Sequence, residues 1–227
     1  MTWNRPELLW YASFGANMSG ERLSCYVEGG TPPGGSRPNP GCRDRTPPRA
    51  HRAIWLNGGT YFALTSPMWG GGLAIHDPGL PGAAPARAYL VTAGQFGDIA
   101  AQEMYREAGG DLDLTRVLRD GRDVRGDGRY ETLLYCGDIA GYPVVSFTAH
   151  WSLAEATVTV PSEAYLRVIG AGLREAHAWS IERTAAHLAQ RPGAAGHWSV
   201  TDVAALLRAD RDVKHASGTH HPTTPIR

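Results

Sequence analysis

The sequence predicts an α+β domain built around a curved or closed sheet. Strand-like runs come first and most helical patterns after them, without the strand–helix alternation of a doubly wound sheet. The chain has 227 residues, enough to bury a substantial core in one domain. Its 28 Gly and 16 Pro cluster instead of spreading, which cuts the chain into short elements.

The segment LLWYASFGANM, Leu8 to Met18, reads as a strand running into a tight turn. Gly15 there suits either a positive φ or the close approach of another group, and Asn17 tolerates left-handed geometry. An ordinary strand end and a nest of backbone N–H groups facing a ligand both fit these residues. A short helix is expected over Ser19 to Val27. Gly29 to Pro48 then holds five Gly and six Pro in twenty residues, which marks a lid, a binding loop or a disordered segment.

Further strands are expected over Arg52–Leu56, Tyr61–Thr65, Gly72–His76, Ala88–Thr92, Tyr130–Cys136 and Val144–Ala149. Thr92 to Glu107 reads as a helix, with Thr92 and Gln95 forming a capping box and Gly109-Gly110 ending it. Leu112 to Arg129 is polar and reads as an exposed connection. Helices follow over Ser162–Ala176 and Trp179–Gln190, and Ser199 to Asp202 caps a third. The expected organisation is a catalytic domain over 1–190 with the Gly/Pro loop at 29–50, a helical extension at 191–213 and a disordered tail at 214–227.

Charge excludes several classes. Lys plus Arg and Asp plus Glu are both 22, so nothing points to nucleic acid or an acidic membrane surface. No apolar run is long enough to span a membrane, and the N-terminus lacks the apolar core of a signal peptide. The three cysteines, Cys25, Cys42 and Cys136, have no metal spacing, which fits a reduced, cytoplasmic protein. His76-Asp77 and His220-His221 do not offer the ligands of a metal site. No Gly-x-Ser-x-Gly elbow is present, and Gly170-Ala-Gly172 is no dinucleotide fingerprint. Arg43, Arg45, Arg49 and Arg52 form a local basic run that reads as a solvated loop or a subsite for an anionic group.

Glu103 stands out. The stripe of its helix runs through Phe96, Ile99, Ala100 and Met104, and Glu103 lies seven residues after Phe96 and four after Ile99. That places a carboxylate on the core face, where it needs partners or a raised pKa. A stem that packs while its head reaches solvent is the structural alternative. Glu107, one turn later, reads as solvated. Ser66-Pro-Met-Trp69-Gly-Gly-Gly brings backbone close to a strand or a ligand, with Trp69 as wall or core.

In combination these motifs become recognisable. Phe14-Gly-Ala-Asn-Met resembles the Tyr-Gly-Ser-Asn-Leu loop of the γ-glutamylcyclotransferase family, and Trp69-Gly-Gly-Gly-Leu-Ala its Trp-x-Gly-Gly-x-Ala segment. Ala88 to Thr92 with Ala101-Gln-Glu103 resembles its strand–helix unit, and Pro161-Ser-Glu-Ala-Tyr a later helix. The resemblance implies a small mixed β-barrel-like sheet with flanking helices, and Glu103 as general acid/base. It implies substrate contacts from Tyr11, Ser13, Phe14, Gly15, Ala16, Asn17, Trp69, Gly70, Gly71 and Phe147. The implied reaction is cleavage of a γ-glutamyl amide by its own α-amino group, releasing 5-oxoproline and an amine. The turn from Phe14 to Asn17 would hold the oxyanion and the substrate carboxylate.

No cofactor or metal is required by that chemistry. The partner is a small γ-glutamyl-type molecule, and the family includes monomers and homodimers. Phe14 and Ala16 replace a Tyr and a Ser of the family loop, so two hydroxyls are gone and a different γ-glutamyl amide, read partly by the 29–50 loop, is expected. An amidase or acyl transferase on the same scaffold, or a non-catalytic binding protein, are the alternatives.

Overall fold

The computed structural model describes residues 6–217, with side chains described as far as residue 209. Strand β1 (Leu8–Ser13) leads through a 3-10 turn at Ala16–Met18 into α1 (Gly20–Val27), whose N-cap Ser19 accepts from the Arg22 N–H. Then come β2 (Ala50–Asn57), β3 (Gly59–Ala63), β4 (Leu73–Asp77), β5 (Ala83–Thr92) and α2 (Ala93–Glu103). A short α3 (Thr115–Asp120) precedes β6 (Arg122–Val124), β7 (Thr132–Ile139) and β8 (Tyr142–Thr148). The chain closes with α4 (Glu163–His177), α5 (Ile181–Ala189) and α6 (Val200–Ser217).

The expected α+β class holds, with one correction. Six strands form an open sheet in the order β2-β5-β1-β8-β7-β6, and β3-β4 form a separate ribbon. The sheet does not close into a barrel, because β2 and β6 are unpaired edges among the described residues. The chain leaves β2 at Gly58, with φ 109°, and turns into the second ribbon. A Cβ at Gly58 would lie 2.3 Å from the Asp77 carbonyl oxygen, so this tight crossing requires glycine. The β1–β8 pair is parallel, and the other pairs described in that sheet are antiparallel.

Strand β1 sits centrally and is almost wholly buried, with Leu9 and Ala12 fully so. Strand β5 begins earlier than expected and runs for 10 residues through Pro85, which pairs with Trp55 of the edge strand β2. Strand β1 pairs with β5 only from Arg87 onward, so at Pro85 one side of the strand is free of β1 and proline is tolerated there. Helix α2 lays Phe96, Ile99 and Ala100 into the core.

The capping box of α2 forms as expected: the Gln95 N–H donates to Thr92 Oγ1, and the Thr92 N–H donates to Gln95 Oε1, both at 3.1 Å. The helix ends at Glu103, short of the expected Glu107. Tyr105 takes φ 54°, its N–H donates to the Gln102 carbonyl, and the Arg106 N–H reaches back to the Ala101 carbonyl at 2.8 Å. This is a Schellman closure with tyrosine in the left-handed position.

The expected exposed connection 112–129 is another correction. Leu114, Val117 and Leu118 are buried at helical spacing and make α3, and Asp123 of β6 is buried too. A six-residue helix offers too few turns for its period to register against a polar background. The expected tail from residue 214 begins inside α6; residues 218–227 lie outside the described residues. No described helix is long and apolar enough to cross a membrane.

Candidate active site

A cavity of about 300 Å³ opens where the turn after β1 meets the end of α2. That volume is at the lower end for small-molecule pockets. Tyr11, Ser13, Phe14, Gly15, Ala16, Asn17, Trp69, Glu103 and Phe147 all line it. Gly70 and Gly71, expected as contacts, do not. Both take left-handed φ values, 68° and 64°, and a Cβ at Gly71 would lie 2.5 Å from the Val160 carbonyl oxygen. Gly71 and Gly72 therefore pack against the segment before α4, Gly70 has no neighbour within 4 Å of a Cβ, and Trp69 is the part that faces the cavity.

The turn is held firmly. Strand β1 delivers it, and its last carbonyl, Met18 O, accepts from Arg87 Nη1 and from the Tyr89 hydroxyl, each at 3.0 Å. Gly172 of α4 lies against it, where a Cβ would come within 2.5 Å of the Ser19 nitrogen. Gly15 has φ −118°, so its smallness serves close approach: a Cβ would stand 3.3 Å from the Tyr165 hydroxyl. The first hydrogen-bonded donor of the 3-10 turn is Met18, which bonds the Gly15 carbonyl. The N–H groups of Ala16 and Asn17 precede it and have no partner within the turn.

Glu103 completes the site. Asn17 Nδ2 donates to its Oε1 at 2.9 Å and to the Tyr11 hydroxyl at 3.2 Å. Burial raises the Glu103 pKa above its ordinary value, opposed by the Arg22 charge, a hydrogen bond from Tyr26, the Arg129 charge and the Asn17 donor. Burial outweighs these four partners. The result is a carboxylate that is desolvated, held by named donors and poised to take a proton.

Several lining residues were not among the expected substrate contacts. Tyr26 on α1, Tyr130 before β7 and Tyr165 on α4 add phenols to that of Tyr11. Burial pushes all four hydroxyls up, so they stay protonated and serve as neutral donors or acceptors. They bring hydroxyls to a site whose turn has none at Phe14 and Ala16. Tyr130 donates to the Ala74 carbonyl at 2.9 Å, and the Ala74 N–H donates to Tyr165 at 3.2 Å. Tyr165 also stacks on Trp69, and Tyr11 on Phe147. Arg22, also unforeseen, is only 3 % exposed.

The Gly/Pro loop forms one wall through residues Arg37, Pro38, Asn39 and Pro40. It is fastened on both sides. Ser36 donates to the Met68 carbonyl at 3.0 Å, and Arg43 bonds the buried Asp98 through its backbone N–H at 2.9 Å and its Nε at 3.0 Å. Arg43, the first member of the basic run, is thus an anchor for the loop while its side chain stays exposed. At the mouth, Tyr105 lies between the guanidinium groups of Arg37 and Arg129.

Among the described residues no group of three or more His, Cys, Asp or Glu could hold a metal ion. His220-His221 lie outside the described residues, and His76 is buried with its ring against Phe14.

No protein-family model matches the chain. Over 200 residues it is 28% identical to histone deacetylase 5 of Arabidopsis thaliana, a match that takes in 79% of this chain and 30% of that protein. The chain thus spans less than a third of that relative's length. Two solved structures are similar in architecture at 15% identity, each covering 88% of this chain and 99% of its own: a gamma-glutamyl cyclotransferase, with a TM-score of 0.48, and the uncharacterized protein loc79017 from Homo sapiens, with a TM-score of 0.47.

Proposed function

We propose that the protein is a γ-glutamylcyclotransferase-like enzyme that cleaves a γ-glutamyl amide to 5-oxoproline and an amine. The observation that carries this reading is the hydrogen bond from Asn17, in the turn after β1, to the desolvated Glu103 at the end of α2. It joins, in one cavity, the two sequence motifs that resemble the family's site.

Glu103 takes a proton from the substrate's α-ammonium group, which frees the nitrogen to attack the γ-carbonyl carbon. The turn's N–H groups at Ala16 and Asn17 stabilise the oxyanion that develops. The bond between the γ-carbon and the leaving nitrogen then breaks. Two protons leave the attacking nitrogen in all, one before attack and one as it becomes a lactam amide. Both end on the departing amine, carried one at a time by Glu103. Because the nucleophile belongs to the substrate, holding the chain folded supplies much of the acceleration. Fixed walls from Tyr11, Phe147 and Trp69 suit that task.

Purified protein should release 5-oxoproline from members of a γ-glutamyl amide panel. Release of free glutamate instead would point to water as the nucleophile and to an amidase. Tight binding without any product would point to a binding protein.

A further inference from the structure

The cavity contains a cation that the proposed reaction leaves unused. Arg22 lies on α1 with its guanidinium carbon 4.1 Å from the centre of the Tyr26 ring and 5.7 Å from that of Trp69. Stacking of this kind engages the faces of a guanidinium and leaves its in-plane N–H donors to be satisfied separately. Here Nε and Nη1 are buried and have no hydrogen-bond partner. Buried charges normally carry partners, since an unpaired one is strongly destabilising. In the lining of the same cavity, Asn17 Oδ1 is also buried without a partner. The Asn17 amide cannot simply flip to cure this, because its Nδ2 faces the Glu103 carboxylate, which when ionised only accepts.

One cavity is thus lined by side chains that carry unsatisfied donors, an unsatisfied acceptor and a carboxylate. We propose, resting on the cyclotransferase reading, that Arg22 receives the substrate's α-carboxylate while Asn17 Oδ1 and Glu103 receive its α-ammonium group. Arg22 is then the specificity-determining residue that restricts the enzyme to acyl groups bearing a free amino-acid head. The turn keeps its N–H groups for the oxyanion.

The test compares a γ-glutamyl amide with the 4-aminobutyryl amide of the same amine, which lacks only the α-carboxylate and closes to 2-pyrrolidinone. Wild type should favour the glutamyl substrate by roughly 100-fold or more in kcat/KM, as expected where a site is built around a polar group. Arg22→Met should bring the two rates to within about tenfold of each other, and Arg22→Lys should retain an intermediate preference. Thermal melts of Glu103→Gln protein give an independent readout that needs no turnover: 5-oxoproline should raise the melting temperature and 2-pyrrolidinone should not. Should Arg22→Met fail to fold, Arg22→Lys and these melts decide the matter. Equal wild-type rates on both substrates, a parallel fall on both in the variants, or equal protection by both lactams overturns the assignment of Arg22 alone. Release of neither lactam by wild type overturns the cyclotransferase reading itself.

Discussion

Asn17 and Glu103 lie 86 positions apart in the chain and meet through a 2.9 Å hydrogen bond from Nδ2 to Oε1. One stands in the turn that ends β1 and the other in the last turn of α2, so the bond ties the proposed oxyanion site to the proposed base. Asn17 is 2 % exposed and also bonds Tyr11, which leaves its amide little freedom.

Asn17→Ala should therefore misplace the Glu103 carboxylate and lower kcat by roughly 10- to 100-fold, the scale of an ångström-sized displacement. It also removes one donor that favours the ionised form, so the Glu103 pKa should rise further. Steady-state kinetics across pH read both effects. An unchanged kcat with an unmoved acid limb would separate Asn17 from the base.

The acid limb itself is informative. A base works ionised, so kcat/KM should climb with pH through a pKa lying above the usual carboxylate range, because burial raises that of Glu103. The opposing groups around it are Arg22, Tyr26, Arg129 and Asn17. A limb near pH 4, about where an unperturbed glutamate titrates, would contradict this.

Stability should run the other way. A carboxyl with a folded pKa above its unfolded one contributes stability that is fully present below about pH 4 and lost as pH rises through the raised value. Glu103→Gln removes that dependence. The melting temperature of the variant, relative to wild type, should increase over the same interval, leaving the variant the more stable at neutral pH. A difference that shrinks with rising pH would mean that partners, not burial, dominate.

The glycine run after Trp69 separates packing from chemistry. Gly72→Ala places a Cβ 2.1 Å from the Thr159 carbonyl oxygen. It should cost about 3 kcal/mol or more, at the upper end for overpacking. Gly70→Ala meets nothing within 4 Å and strains only a φ of 68°, which should cost roughly 1 kcal/mol. Urea or thermal denaturation distinguishes the two, and equal losses would show that the run is not seated against the segment before α4.

Local signals in the sequence were strong where they rested on spacing. The Thr92–Gln95 capping box follows from a four-residue signature, and the inward position of Glu103, which lines the cavity, from its helical spacing to Phe96 and Ile99. The same period hid Arg22 and Tyr26, because a charged residue on a short helix reads as solvated until another segment covers it. Tyr130 and Tyr165 arrive from elements far along the chain, and only tertiary packing brings them to one wall. Strand order and the open sheet were likewise out of reach, since they depend on which edges pair. Gly71 and Gly72 show the converse: glycine signals close approach, but not whether the neighbour is a ligand or the protein's own backbone.

The most direct measurement compares wild type with Glu103→Gln on a panel of γ-glutamyl amines, peptides and amides, scoring 5-oxoproline by mass. The expected result is release by wild type and a fall of about 100-fold or more in the folded variant, the scale of losing a general acid/base. Release at equal rates by both proteins would contradict Glu103 as the base, and no 5-oxoproline from wild type on any member would contradict the cyclotransferase reading.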